Sequence, residues 1–399
     1  MNRRDGATLI AALALALAAA VSLGTARFSY ALLLPPMRAD LGWSYFTAGA
    51  MNTVNAAGYL LGALTLPRLL QRHDARRVML LGGAAAALLL GLHGAVRSDA
   101  ALLLLRGLCG VASAASFVGG GLLAARLAGQ GAGGAMGAGL VLGLYYGGTG
   151  LGIVVSALLV PPWVAGAADG WGGAWVALGA VSLLATAVTA WGTRALHAPP
   201  AAGAARVRLP LAPFGWALLG YGLFGLGYIG YMTFIVTLLR EQGLPAGTVT
   251  LFYVVLGLGV VASSWLWAGL LQRHRGGRPL ATLNALLAVA TLLPVLSVHP
   301  VAVFVSGALF GSVFLSVVAS TTALVRHNAG AAQWPAGIAA FTIVFAAGQI
   351  VGPGLTGLIA DGPGGLARGL AWSAVALALG AALAALQRPV APPPSSLPR

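Results

Sequence analysis

The chain has 399 residues, of which 59% are hydrophobic and only 7% charged, against about 25% charged in an average soluble domain. So few charges cannot cover a soluble fold of this size, and the mean hydropathy of +0.91 agrees, so the soluble enzyme classes are excluded. The net charge of +15 comes from 22 basic residues, all Arg, set against 7 acidic ones; this excess fits the cytoplasmic loops of a membrane protein better than a nucleic-acid surface. The single Cys109 permits no internal disulfide, and the 59 glycines fit close helix packing in a bilayer.

A membrane-spanning helix needs about 20 apolar residues. Punctuation by Arg, Pro and Gly predicts twelve such helices. In chain order they are 8–34, 45–67, 78–96, 100–125, 136–160, 171–193, 211–239, 248–271, 280–298, 301–325, 336–360 and 368–386. The apolar run from Ala7 to Leu34 exceeds the roughly 7–15 residues of a signal-peptide core, which predicts a retained first helix. The runs are too long, and alternate too little, for the strands of a barrel.

With the N-terminus in the cytoplasm, sixteen arginines fall in inner segments and four, Arg38, Arg97, Arg240 and Arg368, in outer loops. That bias predicts both termini inside. Arg27 and Arg106 remain within spans. No acidic residue does: Asp5 and Asp74 fall on the inner side, and Asp40, Asp99, Asp169, Glu241 and Asp361 fall in outer loops.

The polar stretch from Arg194 to Pro210, with Pro199, Pro200 and Arg206, divides the chain. Residues 1–193 and 211–386 are expected as two six-helix bundles, 194–210 as a cytoplasmic loop and 387–399 as a disordered cytoplasmic tail. The halves repeat. Leu69–His73 reads LLQRH, and so does Leu270–His274, 201 residues later. The same offset pairs Gly24 with Gly225, Tyr30 with Tyr231, Gly58 with Gly259, Arg77 with Arg278 and Gly110 with Gly311. Two six-helix halves in parallel repeat point to an all-α major facilitator architecture, with a substrate site between the halves at the midplane.

Ionisable groups in hydrocarbon cost about 2.5–3.5 kcal/mol on insertion scales and mark functional sites by default. Arg27 and Arg106 both lie on the order of 10 Å outward of their span midpoints. Snorkelling to the outer interface is the bland alternative. Side chains lean toward the helix N-terminus, which is outward for Arg106 and inward for Arg27, so Arg27 is the harder to explain that way. Without a carboxylate partner in the membrane, the planar guanidinium fork suits an anionic substrate, a carboxylate foremost. Polar and aromatic residues share this depth. Asn52, Asn55 and Tyr59 fall on one face of the second span. Tyr145 and Tyr146 lie on the fifth, Tyr228 and Tyr231 on the seventh and Gln349 on the eleventh. The expected substrate-binding set is Arg27, Tyr30, Asn52, Asn55, Tyr145, Tyr146, Tyr228, Tyr231 and Gln349, with Arg106 as a coupling group. Interhelical hydrogen bonding is the competing explanation for any one of them.

Other chemistries fail on pattern. Gly143, Gly147, Gly148, Gly150 and Gly152 have no following Lys-Ser/Thr pair, so helix packing is expected there rather than a phosphate loop. The six His residues lack ligand spacing and no nucleophile elbow occurs, so no metal, no cofactor and no enzyme activity are expected.

Arg106-Gly-Leu-Cys-Gly110 resembles the RxxxG signature of major facilitator superfamily transporters, with Cys109 where Gln is common. In that superfamily the arginine is associated with proton coupling, which the resemblance extends to Arg106. The loop after the second span is similar to the superfamily's gating loop in Arg76-Arg77, while Arg72, His73 and Asp74 stand where an Asp-Arg pair is expected. The resemblance thus marks Arg72, Asp74, Arg76 and Arg77 as the gating loop. The fifth span holds Gly143 and Gly152 of the antiporter motif but lacks its proline. A narrower likeness covers nearly the whole chain. Gly24-Thr-Ala-Arg27-Phe-Ser-Tyr30, Leu34-Pro35-Pro36-Met37, Gly225-Leu-Gly-Tyr228-Ile and Gly348-Gln349-Ile-Val-Gly352-Pro353 resemble the YbfB/YjiJ-like group. The resemblance implies a monomeric secondary transporter of the bacterial inner membrane, working by alternating access. Its partners would be the lipid bilayer and a small-molecule substrate, with protons or a counter-anion, and no nucleic acid. The expected substrate is a small organic anion. The alternative is proton-coupled efflux of apolar or cationic compounds, with both span arginines structural; the missing span carboxylates argue against it.

Overall fold

The structure is a computed structural model that describes residues 3–130, 137–166, 169–198 and 208–390. The expectations for 199–207 and 391–399, including Pro199, Pro200, Arg206 and the end of the tail, lie outside the described residues. The long helices in chain order are α1 (Gly6–Leu41), α2 (Tyr45–Leu70), α3 (Ala75–His93), α4 (Asp99–Gln130), α5 (Ala138–Leu159) and α6 (Trp171–Gly192). They continue with α7 (Gly215–Glu241), α8 (Ala246–Leu266), α9 (Arg278–Leu296), α10 (Pro300–Asn328), α11 (Trp334–Ala360) and α12 (Gly365–Ala385). Among the described residues eleven helices are long and apolar enough to cross a membrane, and α2 is not one of them. Its 26 residues give it the length, but Asn52, Asn55 and its glycines dilute its apolar character.

Helix α1 departs from its expected bounds. It runs on through Pro35 and Pro36 to Leu41, although a proline inside a helix costs about 3 kcal/mol or more. Leu33, Leu34 and Met37, each 0% exposed, hold these last turns against the protein interior. Residues Ala20–Phe28 of α1 are wound as a π-helix, and the Ser29 N–H donates to the Gly24 carbonyl at 3.1 Å. Such wide turns are rare and concentrate at functional sites.

The two halves repeat in three dimensions. In the first, α2 packs on α4, α3 on α4 and α6, and α1 on α5 and α6. In the second, α8 packs on α10, α9 on α10 and α12, and α7 on α11 and α12. The paired glycines sit at equivalent crossings. A Cβ on Gly58 would lie 2.0 Å from the Gly107 carbonyl, and one on Gly259 2.9 Å from the Ser312 nitrogen. A Cβ on Gly110 would lie 2.2 Å from the Asn55 carbonyl, and one on Gly311 2.1 Å from the Leu256 carbonyl. Gly42, after α1, and Gly243, after α7, are also 201 residues apart and take φ of 65° and 81°, a left-handed conformation that glycine adopts without steric cost. Each closes its helix the same way: Trp43 N–H donates to the Arg38 carbonyl and Leu244 N–H to the Leu239 carbonyl, both at 3.1 Å, the long bond of a Schellman turn.

Between the halves, α2 packs on α11, α5 on α8, and the Tyr30–Leu41 part of α1 on α7. One end is latched. Asp361, just past α11, accepts the N–H groups of Tyr45 at 2.7 Å and Phe46 at 2.9 Å, so a carboxylate of one half caps the positive N-terminus of a helix in the other. The Tyr45 hydroxyl donates to Glu241 at 2.5 Å, and Arg38 lies 3.6 Å from Glu241 and 3.8 Å above the Tyr45 ring. Toward the opposite end the halves meet more loosely, with at most sparse contact of α4 and α5 with α10 and α11 among the described residues.

Candidate functional site

Arg106 of α4 is fully buried. Its Nη1 donates to the Ala26 carbonyl at 2.9 Å and its Nη2 to Asn52 Oδ1 at 2.8 Å. Its guanidinium lies 5.0 Å from the Tyr30 ring and 5.9 Å from the Trp175 ring, within the range of cation–π attraction. The Asn52 amide then donates through Nδ2 to Thr233 Oγ1 of α7 at 2.8 Å. A polar chain Arg106–Asn52–Thr233 therefore crosses from one half to the other. Asn55 stays within its half, donating to the Arg106 carbonyl at 3.0 Å, where Gly110 lets α2 and α4 touch.

Arg27 lies near the end of the π-helical stretch, next to the residue whose carbonyl Arg106 engages. It is 4% exposed. Its Nη2 donates to Gln349 Oε1 of α11, a second link between the halves, and its Nε is buried without a partner. Salt bridges among the described residues join Arg38 to Glu241 and Arg97 to Asp40 and Asp169; Arg27 and Arg106 take part in none.

Aromatic side chains surround Arg27. Its guanidinium lies 5.9 Å from the rings of Tyr59 and Phe28. The Tyr59 phenol is within electrostatic reach of Arg27, Tyr146 and Tyr228, and Tyr228 is within reach of Arg27. Across the interface, Tyr228 stacks on Phe224 at 4.7 Å, Phe345 at 5.6 Å and Phe314 at 5.9 Å. Phe28 meets Phe314 edge-on at 5.7 Å. Tyr146 is 41% exposed beside Phe117 at 6.0 Å, on the unlatched side of Arg27.

The structure thus brings together Arg27, Tyr146, Tyr228 and Gln349, with Asn52 and Arg106 one shell away. Tyr30 reaches this set only as the ring beside Arg106, Tyr145 only through its edge-on contact with Tyr146 at 5.2 Å, and Tyr231 lies on Phe310 instead. The Tyr30 hydroxyl donates to the Ala48 carbonyl at 2.8 Å, and that of Tyr145 to the Phe117 carbonyl. Tyr231 bonds Ser306 at 2.7 Å and stacks on Phe310 at 4.0 Å. All three are 0% exposed. Tyr145 and Tyr146 share Phe117 as a ring neighbour, but only Tyr146 is exposed. Tyr59, Thr233, Phe314 and Phe345 join the site beyond the expected set. The repeat carried one usable signal: Tyr228 stands 201 residues after Arg27, so the pseudo-symmetry sets the phenol opposite the guanidinium. Nothing comparable marks Phe345.

The gating-loop residues serve their own half. Asp74 caps α3 through the Arg76 N–H at 2.8 Å and accepts the Ala198 N–H at 2.8 Å. Arg76 donates to the carbonyls of Thr193 at 3.0 Å and Ala190 at 2.6 Å. Arg72 and Arg77 are exposed.

Similar proteins agree with this architecture. The family described as uncharacterised MFS-type transporter YbfB matches residues 19–385. Among curated proteins no sequence matches the chain. A bacterial homologue of the human lysosomal transporter Spinster, in an inward-facing and unoccupied conformation, aligns at 16% identity over 95% of this chain and 96% of that one, with a TM-score of 0.70. The nucleoside transporter NupG aligns at 16% identity over 96% and 99%, with a TM-score of 0.69. The human organic anion transporter MFSD10 aligns at 13% identity over 96% and 100%, with a TM-score of 0.60. At these identities the solved structures speak to the fold alone. The family match spans nearly the whole chain: this protein belongs to the YbfB-type family of major facilitator transporters, membrane transporters rather than enzymes.

Proposed function

We propose that the protein is a secondary transporter of small organic anions in a bacterial inner membrane, with Arg27 as the main anion contact. Residues 1–193 and 211–386 would rock about the level of Arg27, with both termini in the cytoplasm; the excess of arginines in the inner segments supports that orientation. One observation carries the substrate reading. Arg27 is buried between the halves, its side-chain acceptor is the neutral amide of Gln349, and its Nε has no partner. A buried cation left so under-compensated is costly, and an incoming carboxylate would supply the missing negative charge through a two-pronged bond. Arg106, whose fork is occupied, would act as the coupling group by holding Asn52 against Thr233.

The test is exchange or uptake of labelled carboxylates by the purified protein in liposomes. A hydrogen bond to a charged group is worth about 1.5–3 kcal/mol, so Arg27→Gln should weaken carboxylate binding roughly 10- to 100-fold. Unchanged transport of every carboxylate tested, with normal folding, would sink the proposal. Protection of an efflux-deficient host against lipophilic cations, unaffected by Arg27→Gln, would favour the efflux alternative instead.

A further inference from the structure

We infer that the ligand at Arg27 is a planar aromatic monocarboxylate, its ring lying against Tyr228 and Phe345 and its carboxylate on the guanidinium; this rests on the anion reading above. The charge follows from what surrounds the site. Arg27 is the guanidinium open to a ligand: Arg106 is fully enclosed and commits both terminal nitrogens to Ala26 and Asn52, leaving only its Nε unpaired. One accessible guanidinium can bond one carboxylate directly, so the second carboxylate of a dianion would be buried without a donor. No carboxylate lies beside Arg27 among the described residues, so nothing there would receive the ammonium group of an amino acid.

The ring follows from the walls. Tyr228, Phe224, Phe314 and Phe345 lie nearly parallel, with interplanar angles of 20°, 11° and 18° from Tyr228 to the other three. Phe345 remains half-buried, and so does Tyr59 across the interface. Side chains stacked in parallel at offsets of 5–6 Å form a slab onto which one more ring can be added in the same geometry. Sugars and short aliphatic acids would forfeit that contact.

The experiment measures ligand binding to the purified full-length protein by calorimetry, with benzoate, cyclohexanecarboxylate, acetate, phthalate and phenylalanine as probes. Benzoate and cyclohexanecarboxylate match in charge and approximate size, so their ratio isolates the flat ring. Benzoate should bind about tenfold tighter than cyclohexanecarboxylate, in line with roughly one to two aromatic contacts, and phthalate and phenylalanine should bind more weakly than benzoate. Tyr228→Leu should erase the benzoate preference and Tyr228→Phe should keep it; Phe345→Leu asks the same question if Tyr228→Leu does not fold. Equal binding of the two ring acids, or a preference that survives both leucine variants, overturns the inference while leaving the anion reading intact. Tighter binding of phenylalanine or phthalate overturns the single-charge part. Binding of no carboxylate at all overturns the anion reading itself.

Discussion

Gln349→Glu should abolish carboxylate transport while leaving the protein folded. The amide oxygen of Gln349 already accepts from Arg27 across the interface. Glutamate is nearly the same shape, and its carboxylate would form an ion pair with the guanidinium in a site shielded from water, where charge–charge attraction is much stronger than at a surface. Because this carboxylate is tethered, it competes at an effective concentration in the millimolar range or above. Affinity for an added carboxylate should fall at least about 100-fold. Thermal stability should hold or rise, because the buried cation gains its missing partner. Gln349→Ala offers the contrast: it frees the guanidinium and should preserve binding. Transport at the normal rate in Gln349→Glu would show that the anion does not use Arg27.

The second large effect concerns Arg106. Arg106→Met leaves Asn52 Oδ1 buried without a donor, at about 1–3 kcal/mol, and leaves the Ala26 carbonyl with the weak Cys109 thiol at 3.9 Å as its side-chain donor. It also removes a buried charge that has no counter-ion. Adding Asn52→Leu takes away the orphaned amide oxygen, and replacing both partners of a polar contact by apolar groups can be nearly neutral. The single variant should therefore melt lower, the double variant should recover most of the loss, and neither should transport, because the link to Thr233 is broken in both. Full transport by the recovered double variant would reduce Arg106 and Asn52 to structural roles.

These two sites show what a one-dimensional reading reaches. Long apolar runs and the 201-residue offset survive projection onto a sequence, so the helical class, the repeat and the family were legible. Position along a helix is also nearly one-dimensional, which is why Arg27 and Arg106 stood out as the two arginines inside spans. Direction around a helix is not. Inside the π-helical stretch Ala20–Phe28 the 3.6-residue period fails, and no residue there announces it. Tyr59 was readable as part of a polar face, but its place over Arg27 required the packing of α2 on α4. Tyr145 and Tyr231 satisfy their hydroxyls on neighbouring helices of their own half, a choice made by side-chain geometry alone. Phe314 and Phe345 are ordinary apolar residues in the sequence and become informative only when their rings are seen stacked on Tyr228. The second expected span was the least distinct, because the polar residues that serve the interface also lower its hydropathy.

The buried cation without a carboxylate neighbour has an electrical consequence. A monoanion that binds Arg27 and crosses alone carries one negative charge through the membrane in each turnover. An interior-negative potential is worth about 2.3 kcal/mol per charge for each 100 mV, which sets an outside-to-inside ratio near 50-fold for a permeant anion. Left to itself, such a carrier is an exit route powered by the membrane voltage; to accumulate its ligand it must take a cation along or trade one anion for another. In liposomes poised with a potassium gradient and valinomycin, a flux that reverses with the imposed voltage identifies the first case, and a flux indifferent to it identifies electroneutral exchange or co-transport with a cation.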